Sequence, residues 1–178
     1  MVKLERLSRI GGLDISFKLE DRDDTASQNA IATLTILECP SMRLIRSISH
    51  QIVVATPYQP GFLSFREAIP LSALLDEVPV EEKPQVLFVD GNGALHERRA
   101  GSAVVVGQLT DIPTIGIGKE FHPVFDPIQS DVREYEKSQK GIKNHATTTL
   151  KKRGDWFSIL GFDRQLSPVG AVSSSLSC

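Results

Sequence analysis

Apolar and polar positions alternate at the start of the chain. Leu13, Ile15 and Phe17 are interleaved with Asp14 and Ser16, the two-residue period of a half-buried strand. Residues 21–29 are polar and turn-like. Residues 30–37 are rich in β-branched side chains and predict a second strand. Residues 43–55 predict a third, through Leu44, Ile45, Ile48, Ile52 and Val53. Short connections make these three an antiparallel meander. The period then changes: Leu71, Leu74 and Leu75 follow helical spacing behind Pro70. Gln85-Val86-Leu87-Phe88-Val89 is a continuous apolar run, expected of a strand buried on both faces, and it stops at Asp90-Gly91-Asn92-Gly93. Residues 100–109 predict a helix in spite of their valines. Thr114-Ile115-Gly116-Ile117-Gly118 predicts a fifth strand. A meander followed by helix, strand, helix and strand predicts an α/β fold around a mixed five-stranded sheet. Further on, the charged stretch at residues 131–140 predicts a helix, and the serine-rich residues 166–178 predict a frayed end. No internal repeat is present.

Length and charge narrow the functional classes. A chain of 178 residues fits one domain with a substantial core, taken as residues 1–170, followed by a serine-rich tail at 171–178. The net charge of −2 does not announce nucleic-acid binding, so any phosphate-binding surface must be local. Two cysteines, Cys39 and Cys178, make no disulfide framework, which fits a reducing cytoplasmic or nuclear compartment. The charged N-terminus lacks the apolar centre of a signal peptide, and no apolar stretch approaches the roughly 18 residues needed to span a membrane. A monomer without membrane contact is expected.

Three carboxylates stand out. Asp14 interrupts an apolar strand pattern, where a carboxylate is costly unless it is paired, binds a metal or faces solvent. Asp90 ends the most hydrophobic strand, beside two glycines, where ligands of open α/β sheets gather; an ordinary Asp-Gly turn is the other reading. Glu67 lies in Ser64-Phe65-Arg66-Glu67, whose spacing alone favours a capping box with Ser64 as N-cap. If the three converge, they repel: two like charges ~4 Å apart cost roughly 4 kcal/mol at an effective dielectric of 20. Such a cluster calls for a cation, and oxygen-only ligands suit Mg²⁺ or Mn²⁺. Hard cations held by carboxylates are the usual equipment for phosphodiester hydrolysis.

Other residues carry two readings each. Gly91 and Gly93 allow close approach of a base or phosphate. His96 could be an acid, a base, a phosphate contact or a surface histidine. Arg98, Arg99 and the run Lys151-Lys152-Arg153 are phosphate contacts or solvated charge. Lys119, after the fifth strand, could neutralise transition-state charge or simply end the strand. Pro57-Tyr58-Gln59-Pro60-Gly61 is a stiff loop with one aromatic, either packed on the core or a wedge that fills the place of a flipped base.

Taken together these segments resemble the endonuclease V family. The resemblance rests on Gly12-Leu13-Asp14-Ile15-Ser16-Phe17 and on Pro57 to Glu67. It continues through Val89-Asp90-Gly91-Asn92-Gly93-Ala94-Leu95-His96 and Asp111 to Lys119, with Gly154-Asp155-Trp156-Phe157 similar to a later family segment. It covers roughly residues 11 to 170. It implies a ribonuclease-H-like fold, with Asp14, Glu67 and Asp90 binding Mg²⁺ (Mn²⁺ being an alternative). It also implies that Pro57, Tyr58, Gln59 and Pro60 form a strand-separating wedge and that Gly91, Asn92 and Gly93 line the hypoxanthine pocket. Lys119 then sits at the scissile phosphate and His96 near the active site. The implied reaction hydrolyses the second phosphodiester 3′ to inosine in RNA, or to deoxyinosine in DNA, leaving 3′-hydroxyl and 5′-phosphate ends. Asn92, where bacterial members commonly have His, resembles the branch favouring inosine-containing RNA.

The chain departs from the family pattern at Val104-Val105-Val106-Gly107, where a small residue, His, Leu and Gly are usual, and at Glu97, where bacterial members have Pro. The family continues with a Val-Ser-x-Gly-His segment and a closing helix, whereas this sequence ends in Ser173-Ser174-Ser175-Leu176-Ser177-Cys178, the reading being a C-terminally truncated form. That reading implies a less covered sheet and a weaker metal site. It also brings in the alternative of an inactive form that only binds inosine-containing nucleic acid. A phosphoryl-transfer enzyme is the third class, disfavoured by the lack of a P-loop and of a second sheet.

Overall fold

The computed structural model describes residues 7–18, 28–56, 62–96, 98–118, 132–152, 154–160 and 168–173. The chain divides into two compact units, residues 1–93 with 100–119 and residues 94–99 with 120–178. The first unit holds β1 (Arg9–Phe17), β2 (Gln28–Glu38) and β3 (Leu44–Val54), paired as the antiparallel meander read from the alternation. β4 (Val86–Asp90) lies parallel to β1, and β5 (Thr114–Ile117) lies parallel to β4. The sheet order is β3-β2-β1-β4-β5, the mixed five-stranded α/β sheet expected from the pattern.

Two helices cover one face of this sheet. α1 (Ser64–Ala73) and α2 (Ser102–Thr110) bury Ala68, Leu71, Ala103 and Val106 against Leu13, Leu34, Ile36, Leu87 and Val89 of the strands. Leu74 and Leu75 complete that core from a 3₁₀ turn rather than from the helix. Pro70 lies inside α1, where it cannot donate to the Arg66 carbonyl, yet the helix continues to Ala73. The capping box is not formed. Leu63 is the N-cap, no side chain caps the helix, and Ser64 is already a buried helical residue.

β4 also departs from the pattern. Only Leu87 and Val89, on the helix side, are buried; Val86, Phe88 and Asp90 are half-buried. A run of apolar residues therefore does not mean equal cover on both faces. The second face is polar toward the β3 edge, where Thr33 and Ser49 hydroxyls share a hydrogen bond of 3.0 Å. Toward β5 it turns apolar, with Ile115 and Ile117 exposed. On the helix side of β3, Arg46 pairs with Glu82, and His50 Nε2 lies 3.1 Å from Glu77 Oε1, tying the edge strand to the turns after α1.

The second unit contains α3 (Val132–Thr149) and a hairpin of β6 (Trp156–Leu160) and β7 (Pro168–Ser173). α3 runs nine residues past the expected end at 140. Its threonines do not end it, and their hydroxyls donate back along the helix: Thr147 to the Lys143 carbonyl at 2.9 Å and Thr148 to that of Asn144 at 3.1 Å. The sequence pattern does not predict the hairpin, and β7 takes residues 171–173 out of the supposed tail. No described helix is long and apolar enough to cross a membrane.

Leu87 is 0 % exposed at the centre of the core. Leu87→Ala should therefore cost about 2–5 kcal/mol in urea unfolding followed by circular dichroism, whereas Val53→Ala, at 65 % exposure, should stay within about 0.5 kcal/mol. Equal costs at the two positions would refute this placement of the core.

Candidate functional site

The register places two carboxylates side by side. The β1–β4 pairing ends at Leu13 and Val89, and Asp14 and Asp90 each stand one residue beyond that pair. Adjacent strands lie about 4.8 Å apart. Both aspartates open onto the same groove of about 430 Å³ on the second face, lined with Gly12, Thr33, Thr35, Phe88 and Ile117. The parallel strands β4 and β5 end together here, at Asp90 and Ile117, while β1 runs on to Phe17; the crevice beyond such ends is where α/β sheets take ligands. Asp14 is exposed, so the solvent-facing reading of its position holds too; its Oδ2 accepts a 3.2 Å hydrogen bond from the Ser16 hydroxyl.

Glu67 reaches the same region from the helix layer. Third after Ser64 in α1, it is buried, and the Ser102 hydroxyl at the first turn of α2 donates to its Oε2 at 3.5 Å. The Glu67 carboxyl is pushed up to about 7, chiefly by burial; the charges of Asp90 and Asp14 act in the same direction, while Arg66 and the Ser102 hydrogen bond oppose them. Glu67 thus feels both aspartates. Yet no three of the described histidines, cysteines, aspartates and glutamates stand close enough to close around one metal ion. The donor set fits a hard cation in its chemistry, all oxygen and mutually repelling, but as arranged it is not a closed shell.

The Asp90-Gly91-Asn92-Gly93 loop is fixed by backbone contacts. Gly91 adopts φ +132°, a value L side chains rarely take. A side chain at Gly116 of β5 would collide with the backbone of Gly91, Asn92 and Gly93. The Ala103 amide donates to the Asn92 carbonyl at 3.2 Å, and the Gly101 amide to that of Gly93 at 3.2 Å, so α2 begins by anchoring the loop.

His96 belongs to the second unit, where it is buried. Its Nδ1 accepts the Arg98 amide at 3.2 Å and its carbonyl accepts the Arg99 amide at 2.8 Å, which makes it the hub of a tight turn. Lys119, and Pro57, Tyr58, Gln59 and Pro60 with Gly61, lie outside the described residues. Two supporting residues escape a reading of the sequence. Ser102 carries no signal of its own. Arg66 does: an arginine inside a helix whose neighbours pack in a core must find partners. It lies 6 % exposed, donating to Gln28 Oε1 at 2.7 Å with its guanidinium 4.8 Å over the Phe17 ring.

An α/β sheet with acidic residues converging at the ends of its parallel strands is the class of protein that fold and site define. The chain belongs to the Endonuclease V family, whose sequence profile matches residues 2–172. It is 37% identical over 158 residues to human Endonuclease V, covering 87% of this chain and 51% of that protein. The crystal structure of the catalytic domain of human Endonuclease V superposes with a TM-score of 0.72 at 33% identity, over 93% of this chain and 61% of that one. A Ciona intestinalis Endonuclease V, solved with a 23mer DNA containing an inosine followed by a ribo-adenosine, matches with a TM-score of 0.68 at 25% identity, covering 90% of this chain and 63% of that chain. The chain spans about half the length of the human and mouse relatives it matches.

The raised Glu67 carboxyl has a stability consequence. Its folded value, about 7, exceeds the ordinary 4.5, so the folded state holds a proton that the unfolded state releases between them. Stability therefore falls as pH rises through that window. Glu67→Gln should remove the penalty, leaving the variant more stable than the parent at pH 8 in EDTA by up to the order of 3 kcal/mol. The difference should vanish near pH 4. A variant less stable than the parent at pH 8 would refute the raised Glu67 carboxyl.

Proposed function

We propose that this chain is an inosine-directed endonuclease using a divalent cation, Mg²⁺ or Mn²⁺, held by Asp14, Glu67 and Asp90. The observation that carries the reading is the meeting of Asp14 and Asp90 in one groove on neighbouring parallel strands, with Glu67 sensing both. Family membership supports it, as does the inosine-containing DNA in the Ciona intestinalis structure. When bound, the cation would supply Lewis acidity and charge neutralisation at the scissile phosphate. Ser102 holds the Glu67 carboxyl in place, and the anchored 91–93 backbone offers a rigid wall for the hypoxanthine base. Water adds across the second phosphodiester 3′ to inosine, breaking the P–O3′ bond to leave a 3′-hydroxyl and a 5′-phosphate. Tyr58 with its prolines would wedge the strand and Lys119 would meet the phosphate, both on the strength of their motifs. Asn92 favours RNA as the substrate.

One observation favours a second reading, inosine-selective binding without cleavage: the carboxylates do not close into a metal-sized cluster among the described residues. Both are tested with end-labelled single-stranded RNA carrying one inosine, in Mg²⁺ and in EDTA, beside a deoxyinosine DNA strand. The nuclease should make a single Mg²⁺-dependent cut one nucleotide beyond inosine. Asp90→Ala should lower its rate by more than the roughly 10–100-fold lost when a supporting residue of a metal site is removed, with RNA binding retained. Undiminished cutting by that variant would end the metal assignment. Binding without any cut would favour the second reading.

A further inference from the structure

The chain's net charge conceals a strongly basic segment. Residues 137–154 contain six lysines and arginines and no aspartate or glutamate, in a protein whose total is −2. Lys140 and Lys143, three apart on α3, are exposed, and so are Lys151 and Lys152 in the turn that follows the helix. Asp155, the first acid after the segment, is committed to the turn, its Oδ2 accepting the Lys151 and Lys152 amides at 2.8 and 2.7 Å. Lys151 Nζ closes the helix by donating to the Thr147 carbonyl at 2.7 Å, so the turn is rigid from both sides. The next residue after Asp155 is Trp156, the only tryptophan of the chain, and it is 65 % exposed at the start of β6.

A large aromatic presented to solvent by a strand, beside lysines held on a fixed turn, is a pattern with a known use. Lysines along a helix track a phosphodiester backbone while an aromatic ring stacks a base, which gives affinity without reading sequence. From Lys140 to the helix end at Thr149 the axis rises about 14 Å, long enough to follow several phosphates. We propose that Lys140, Lys143, Lys151, Lys152 and Trp156 form a sequence-independent site for single-stranded nucleic acid, with Trp156 as its stacking platform. The choice of ligand class rests on the nuclease reading above. An anionic membrane would meet the lysines equally well, but the rigid turn and single ring suit one base better than an interface.

The sole tryptophan makes the test direct. The chain in EDTA is titrated with an inosine-free single-stranded RNA and with the same sequence as DNA, following Trp156 emission and the anisotropy of a labelled copy. Both strands should quench the emission with similar affinities, since phosphates and base faces are common to them. Trp156→Ala should weaken binding by about 5- to 100-fold, with Trp156→Phe recovering part of the loss. Lys151→Ala with Lys152→Ala should weaken it too and flatten its salt dependence by roughly 0.7 per lysine removed. Unquenched emission, or variants that bind like the parent, would overturn the site, as would binding to phosphatidylserine vesicles but not to either strand. The inosine-cleavage assay on the same preparations separates the two readings. Cutting by a chain whose variants bind plain strands unchanged removes the site and leaves the nuclease. Trp156-dependent binding without cutting keeps the site and removes the nuclease.

Discussion

The insertion of β4 in parallel beside β1 dictates most of the architecture of the first unit. Two parallel strands cannot be joined by a tight turn, so the chain must leave β3, cross over one face and return. That crossover is α1, and it brings Glu67 to the strand ends. A second crossover, α2, is needed to place β5, and its first turn brings Ser102 against Glu67 and its amides against the 91–93 loop. Asp14 and Asp90 become neighbours because the parallel register sets Leu13 opposite Val89, one residue before each. One pairing thus gathers three acids from distant parts of the chain, and it does so against their mutual repulsion. Glu67, the most buried of the three, holds its proton to near neutrality chiefly because of that burial, with the charges of Asp90 and Asp14 adding to it.

Much of this sheet is legible in residues 1–118. The alternation around Leu13 and the apolar run at Val86–Val89 reveal strands, but not that β4 lies beside β1 or that one of its faces is only half-buried. The exceptions have physical causes. The spacing Ser64 to Glu67 matches a capping box, but both side chains are drawn into the interior, where Glu67 bonds Ser102 rather than a helix terminus. Pro70 reads as a residue ahead of the helix, yet it sits inside because a core formed by Ala68 and Leu71 outweighs one lost hydrogen bond. Asp14 is marked as a carboxylate inside an apolar strand, and Asp90 by its place at the end of one. Ser102 is not, since a serine's role depends on which partner tertiary structure brings to it. In the second unit little is evident: the threonines of α3 carry poor helix propensity, and their back-bonding is visible only once the helix exists.

Charge is distributed against the chain's average. Acids collect where the parallel strands end, and the bases of 137–154 collect on α3 and its turn, while the net value stays near neutral. A protein so divided can present both a cation-seeking and an anion-seeking surface. Neither would be suspected from its isoelectric point, because bulk charge governs solubility and long-range steering rather than local chemistry.

The position of the single tryptophan also decides what the commonest spectroscopic probe can see. Trp156 is already largely in water, and the first unit, with its sheet and its core, contains no tryptophan at all. Its emission maximum in the native protein should lie close to that of a denatured chain. Melting of the five-stranded sheet would then pass almost unrecorded by intrinsic fluorescence, and a flat trace would mean a silent reporter rather than a resistant fold.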